Sequence, residues 1–264
     1  MGDLGKRLIS AFVFGPIIVL LFIILAPKPF FLFMGIVLIM AAYEFSSMAK
    51  VTNVPVITLL IALGLIPLYV GISFYPLWLL FSPAAYLAFK VTARGPDILS
   101  FNREIGRSLA VLVLAEVFLA LPLFFLYGLK EIDRLLPLIL LLTIWASDTG
   151  AYLIGKTAGR HKIAPLISPK KTYEGLLGAV AGAVLVALLF RGRLGVTLRA
   201  SVAMGCAIGL FGQLGDILES IAKRVYGVKD SSHLIPGHGG LLDRIDSFLL
   251  TAPFLYYYLL GVRQ

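Results

Sequence analysis

Leu8-Ile-Ser-Ala-Phe-Val-Phe-Gly-Pro-Ile-Ile-Val-Leu-Leu-Phe-Ile-Ile-Leu-Ala26 runs for 19 residues without a charged side chain. As a helix rising 1.5 Å per residue it spans about 28 Å, close to the roughly 30 Å hydrocarbon core of a bilayer. Lys6 and Arg7 precede it, as cations precede the apolar part of a signal peptide. The run is too long for such a segment, and no small-residue cleavage site separates it from the next apolar stretch. We read it as an uncleaved first span.

The rest of the chain repeats this pattern. Of its 264 residues 59% are hydrophobic and 14% charged, with a mean hydropathy of +0.97. Soluble domains carry about 25% charged residues. One soluble core cannot bury this much apolar surface, so the bilayer is the expected solvent. Polar breaks mark nine apolar stretches, near 8–26, 30–49, 55–74, 76–91, 107–128, 133–149, 173–190, 198–218 and 247–262. The expected fold is an all-α polytopic membrane protein of about nine transmembrane helices in one bundle. It divides into an N-terminal region, 1–106, with about four spans, and a C-terminal region, 107–264, with about five. The longer polar pieces are 92–106, 150–172 and 219–246.

Nine spans with the N-terminus in the cytoplasm put 16 of the 23 Lys and Arg residues inside and 7 outside. That bias fits the positive-inside rule, with Arg191, Arg193 and Arg199 on the disfavoured side. The net charge of +9 then reflects cytoplasmic loops facing anionic lipid, not a nucleic-acid partner. Cys206 is the lone cysteine, which excludes an internal disulfide and a cysteine-based metal cluster.

Two spans separate the 150–172 and 219–246 loops, so both face the same side. All three histidines lie in them, His161, His233 and His238. So do seven of the 14 acidic residues, counting the borders: Asp148, Glu174, Asp216, Glu219, Asp230, Asp243 and Asp246. Asp216, Glu219, Ser220 and Lys223 are spaced i, i+3, i+4 and i+7, which makes one polar stripe on a helix. Carboxylates at the edge of an apolar span are costly unless they pair or hold a cation. Two readings stay open: a Mg²⁺ site, or a membrane-edge salt bridge to Lys223. Asp243 and Asp246 repeat the i, i+3 spacing at the start of the last span. Helix capping is the plain alternative there. Arg244 between them suits phosphate or either acid.

Pro236-Gly-His-Gly-Gly240 lets backbone N–H groups approach an anion, with His238 as a further donor. Gly155-Lys-Thr157 resembles the end of a phosphate-binding P-loop, but an apolar span precedes it instead of a strand, which excludes a Walker site. Ser168-Pro169 suits an N-cap and first helical residue, placing Lys170, Lys171 and Glu174 on the first turn of the seventh span. Two lysines at a helix start oppose its dipole unless an anion sits there. A lipid-headgroup anchor is the competing reading. Asp148 at the end of the sixth span is a functional candidate by its position. Glu44 and Glu116 lie within spans and are read as hydrogen-bonded inside the bundle.

Ser220, Lys223-Arg224, Lys229-Asp230, Pro236 to Gly240, Asp243-Arg244 and Asp246 together resemble the signature of the phosphatidate cytidylyltransferase (CDP-diacylglycerol synthase) family. Gly215-Asp-x-x-Glu-Ser220, Asp148-Thr-Gly-Ala-Tyr152 and Ser168-Pro-Lys-Lys-Thr-x-Glu-Gly175 extend the resemblance over the C-terminal half. Ala222 departs from it, where a larger apolar residue is usual. The resemblance implies transfer of CMP from CTP to phosphatidate with Mg²⁺, a second cation being left open. It implies cytoplasmic catalytic loops in a multi-pass protein of the cell (inner) membrane. Asp216 and Asp246 are then the first expected metal ligands, with Asp243 and Glu219 next. Lys170, Lys171, Lys223, Arg224 and Arg244 would grip the triphosphate and phosphatidate, and His238, Gly239 and Gly240 would cradle phosphate. Asp148, Glu174, Ser220, Lys229 and Asp230 complete the substrate-binding set. A CTP-dependent lipid-alcohol kinase and a transporter are the alternatives. Gly175, Gly178 and Gly182 suit close helix contact, which makes a homodimer a further expectation.

Overall fold

The computed structural model describes residues 3–94, 101–232, 234 and 239–262. Lipid offers no partner for backbone N–H and C=O groups, so long apolar segments satisfy them internally as helices. In chain order these are α1 (Asp3–Ile24), α2 (Pro27–Met48), α3 (Val54–Leu63), α4 (Leu65–Val70), α5 (Tyr75–Arg94), α6 (Phe101–Ala115), α7 (Leu121–Ile132), α8 (Leu136–Thr157), α9 (Tyr173–Leu189), α10 (Arg191–Leu194), α11 (Leu198–Val225), α12 (Leu242–Ile245) and α13 (Phe248–Val262). A π-helical turn, Glu116–Ala120, joins α6 to α7 without a break. Glu116 there is buried and accepts from Trp78 Nε1 at 2.9 Å and Ser82 Oγ at 3.0 Å.

Six helical stretches of the described residues are long and apolar enough to cross a membrane: Pro27–Met48, Ile72–Thr92, Glu104–Ile132, Leu136–Thr157, Leu198–Val225 and Leu242–Val262. Phe14–Ile24, Val54–Val70 and Tyr173–Leu189 are apolar but shorter. The architecture is the expected helical, polytopic one, and six of the nine expected spans meet the length for crossing. Large apolar side chains such as Leu80, Leu177 and Leu189 face outward, as lipid contact allows.

Three local expectations are corrected. First, 150–172 is not all loop, because α8 continues to Thr157, and α11 likewise carries the start of the 219–246 segment to Val225. Falling hydropathy marks where lipid ends, not where backbone hydrogen bonding ends. Second, the chain is not wholly helical. Lys162–Ala164 (β1) and Ser168–Thr172 (β2) pair as an antiparallel hairpin, with Lys162 opposite Thr172 and Ala164 opposite Ser168. Pro165 and Pro169 push the residues before them, Ala164 and Ser168, into extended backbone. Third, Ser168 is therefore not the cap of the following helix. Thr172 is, its hydroxyl accepting from Gly175 N at 3.0 Å. Lys170 and Lys171 sit on β2, so the helix-dipole argument made for them lapses.

α8, α9 and α11 pack as a trio. Gly150 of α8 and Gly178 of α9 lie so close that a Cβ on either would overlap the other's carbonyl oxygen. Gly182 meets the Ala146 carbonyl in the same way. Gly178 and Gly182 are thus spent inside the chain and give no argument for a dimer. Gly150→Ala is expected to force α8 from α9 and cost about 1–3 kcal/mol, read as a lowered melting temperature of the detergent-solubilised protein.

The α7–α8 and α9–α11 connections lie at the other end of the trio from Asp148 and Asp216. Asp148 is about 18 Å along α8 from Leu136. At that far end, Arg134 donates to the carbonyls of Ile23 (2.9 Å) and Ile24 (2.6 Å), and Lys130 to that of Phe22. These cations satisfy the last carbonyls of α1. Arg193 pairs with Asp133 at 3.0 Å. Lys130, Arg134 and Arg193, three of the seven cations expected outside, therefore serve structure.

Candidate active site

Four elements converge where α8 and α11 leave their apolar stretches. α11 presents Asp216, Glu219, Ser220 and Lys223 on one face, as the spacing predicts. Asp246, in the turn between α12 and α13, meets that face. Carboxylate oxygens of Asp216, Glu219 and Asp246 all lie within 4.8 Å of one another. The approach depends on Gly215, where a Cβ would run into the Asp246 carbonyl oxygen. Asp246 Oδ1 accepts from Ser247 N at 2.7 Å, which fixes its rotamer toward the cluster.

Cations flank the three acids. Lys171 of β2 reaches Asp216 Oδ2 at 2.9 Å and donates to the Gln213 carbonyl at 2.9 Å. Gln213 Nε2 in turn donates to Asp148 Oδ1 at 3.1 Å, tying α8 to the cluster. On the other side Lys223 lies 2.6 Å from both Glu219 Oε2 and Asp243 Oδ1. Ser220 Oγ donates to Asp216 Oδ1 at 3.4 Å. Asp216 keeps 37% of its side chain exposed, so a solute can reach the group.

One buried carboxylate oxygen of the cluster is left over. Glu219 is buried, yet its Oε1 has no hydrogen-bond partner among the described residues. An orphaned carboxylate oxygen in a buried place costs free energy unless a cation joins it. Three carboxylates, one of them with a buried oxygen left unpartnered, are a donor set suited to a hard divalent cation, which takes a few carboxylates and completes its shell with water and phosphate oxygens. The residues present therefore fit a metal ion.

Other expected residues are placed differently. Asp243 lies beside the cluster, not within the group of three. Its Oδ2 accepts from Gly240 N at 2.8 Å, Ser231 Oγ at 3.0 Å and Ser231 N at 3.3 Å. These bonds close the loop, and they engage the Gly240 N–H that was expected to face phosphate. Gly239 takes a left-handed φ of 80°, which its missing Cβ permits. Glu174 is drawn to the hairpin, accepting from Arg160 N at 3.0 Å and His161 N at 3.2 Å and pairing with His161 Nδ1 at 2.6 Å. Arg224 donates to the Ile167 and Val228 carbonyls, both at 3.3 Å, with much of its length exposed. Lys170, Lys229, Asp230 and Arg244 are exposed. His238, with Pro236 and Gly237, lies outside the described residues.

Two contributors are not assigned to the site by the sequence, although Glu44 is hydrogen-bonded inside the bundle as expected. Gln213 sits one turn before Asp216 on the same stripe, and that spacing was a usable signal. Glu44 of α2 is buried and accepts from Ser232 Oγ (2.5 Å), Leu242 N (2.9 Å), Leu241 N (3.0 Å) and Ser231 Oγ (3.3 Å). Its only signal was an acid in an apolar run.

The family model described as "Cytidylyltransferase family" matches residues 5–261. Among similar proteins, a phosphatidate cytidylyltransferase of Staphylococcus aureus (strain COL) is 34% identical over 226 residues, 85% of this chain and 87% of its own. One of Bacillus subtilis (strain 168) is 47% identical over 118 residues, 44% of each chain. One of Staphylococcus epidermidis (strain ATCC 12228) is 37% identical over 162 residues, 60% of this chain and 62% of its own.

Proposed function

The chain belongs to the cytidylyltransferase family, and from that premise we propose that it is a membrane enzyme making CDP-diacylglycerol from CTP and phosphatidate. A phosphate oxygen of the lipid attacks the α-phosphorus of CTP. The bond between that phosphorus and the α–β bridging oxygen breaks, and pyrophosphate leaves. The observation that carries this reading is the meeting of Asp216, Glu219 and Asp246 between Lys171 and Lys223.

The chemistry asks little else of the protein. A phosphate monoester has a second pKa of about 6, so the attacking oxygen is already deprotonated near neutral pH. No side-chain nucleophile or strong base is required. What is required is alignment of two anions that repel each other, with their charge neutralised. Lys171 and Lys223 stand beside the carboxylates to meet the triphosphate, and exposed Lys170, Arg224 and Arg244 extend the cationic surface toward the lipid phosphate. Lys171 shares itself between Asp216 and a backbone carbonyl, so it is held in place before substrate arrives. Mg²⁺ held by Asp216, Glu219 and Asp246 would neutralise phosphate charge and favour departure of pyrophosphate.

The membrane arrangement we favour is nine spans, the six long helices plus the three shorter apolar ones, with the N-terminus and the site in the cytoplasm, where CTP is found. The lysine and arginine bias supports that orientation.

The test is an assay in detergent micelles with CTP labelled at the α-phosphate, phosphatidate and Mg²⁺. Label is expected to move into the organic phase while pyrophosphate is released. If the label stays aqueous, and γ-labelled CTP instead transfers its label to a polyprenol, the protein is a lipid-alcohol kinase and this reading is wrong.

A further inference from the structure

The signature loop is held from both ends by a residue of the N-terminal region. Glu44 Oε1 accepts from Ser232 Oγ and Leu241 N, and Glu44 Oε2 from Ser231 Oγ and Leu242 N. One carboxylate thereby joins the residues that enter the loop to those that leave it. Gly240 lies so close that a Cβ there would strike both the Ser231 hydroxyl and the Glu44 carboxylate. The neighbouring Phe45 packs edge-on to Tyr226, with ring centroids 6.1 Å apart, where the chain leaves α11. The C-terminal end of α2 thus contacts Tyr226, Ser231, Ser232, Leu241 and Leu242.

The clamp also leads to the carboxylate cluster. Ser231 Oγ lies between Glu44 Oε2 (3.3 Å) and Asp243 Oδ2 (3.0 Å). Asp243 Oδ1 meets Lys223, and Lys223 meets Glu219, each at 2.6 Å. The single Ser231 hydroxyl proton is shared between the two carboxylates, while Ser232 Oγ, Leu241 N and Leu242 N donate to Glu44 alone and set its position.

We infer that Glu44 is a positioning residue for the reaction: it joins Ser231 and Ser232 to Leu241 and Leu242 and, through Ser231, holds Asp243 against Lys223. This rests on the reading of the cluster as the site of cytidylyl transfer. A residue that orients groups around a site typically changes activity by about 10–100-fold when replaced. Glu44→Gln keeps the shape but turns one acceptor into a donor facing a backbone N–H or a hydroxyl.

The experiment pairs turnover with hydrogen exchange on the purified full-length protein, and compares Glu44→Gln with Glu116→Gln. Glu116 is a second buried intramembrane acid that does not touch the site. We expect Glu44→Gln to lower kcat by about 10–100-fold and to speed exchange across 229–243. Glu116→Gln should leave exchange in that segment unchanged. Adding Ser231→Ala to Glu44→Gln should cost less than Ser231→Ala costs alone, because both act through one connection. Unaltered exchange in the loop, equal losses in both glutamine variants, or full additivity would overturn the proposal. If Glu44→Gln does not fold, Ser232→Ala, which removes one donor to the same carboxylate, is subject to the same criteria. Exchange is read without substrate. A wild-type protein that transfers no CMP would thus refute the proposed reaction while the loop measurement still judged the clamp.

Discussion

Asp246→Asn lowers turnover by about 10²–10³-fold and leaves the bundle folded. The substitution keeps the acceptor that Ser247 N uses, because an amide oxygen can take the place of Oδ1. It removes one negative charge from a cluster whose carboxylate oxygens lie within 4.8 Å of one another. Cation affinity depends on that charge, so part of the lost rate returns as Mg²⁺ is raised. Initial rates across a Mg²⁺ series check both statements. Normal turnover at limiting Mg²⁺ would show that Asp246 holds no metal.

Gly215→Ala costs about 100-fold in kcat without touching a charged group. The new methyl meets the Asp246 carbonyl oxygen, so the turn between α12 and α13 moves away from α11. A displacement of about 1 Å in a catalytic group is enough for a loss of that size. The control lies one turn earlier on the same helix. A Cβ on Gly212 meets only Ser247 Cβ and Thr251 Cγ2, each at 3.9 Å, which is ordinary contact. Gly212→Ala therefore stays near wild-type activity. Equal behaviour of the two variants in steady-state kinetics would mean that Asp246 need not lie against α11.

The contrast between these glycines shows what the sequence could and could not convey. Membrane character was legible because it follows from the length of apolar runs such as those near 30–49 and 198–218, which composition alone reveals. The stripe of Asp216, Glu219, Ser220 and Lys223 was legible because helical spacing places them on one face whatever surrounds them. Helix ends were less so. α8 runs on through Thr149 to Thr157, where polar and apolar residues mix, because its hydrogen bonds continue after the lipid-facing pattern stops. Lys170 and Lys171 stand out in the sequence, but their element does not, since two prolines favour the short hairpin over a helix start.

Long-range partners were the least legible. Ser231 and Glu44 are 187 positions apart, and two of the groups that donate to Glu44 are backbone N–H groups, which leave no mark on residue type. Asp243 illustrates the converse. Its i, i+3 spacing to Asp246 suggested a pair with one role, yet one acid faces the cluster and the other closes the loop through Gly240 and Ser231. Spacing assigned them to one helical face. The short α12 and the turn after it send them to different partners.

The central claim is that Asp216, Glu219 and Asp246 form a divalent-cation site serving the triphosphate. Titrating Mn²⁺, as a paramagnetic stand-in for Mg²⁺, into the detergent-solubilised protein with CTP tests it most directly. Wild-type protein should immobilise the ion, and Asp216→Asn protein should bind it at least tenfold more weakly, on the order expected for loss of a ligand charge. Equal Mn²⁺ affinity in the two proteins would contradict the account.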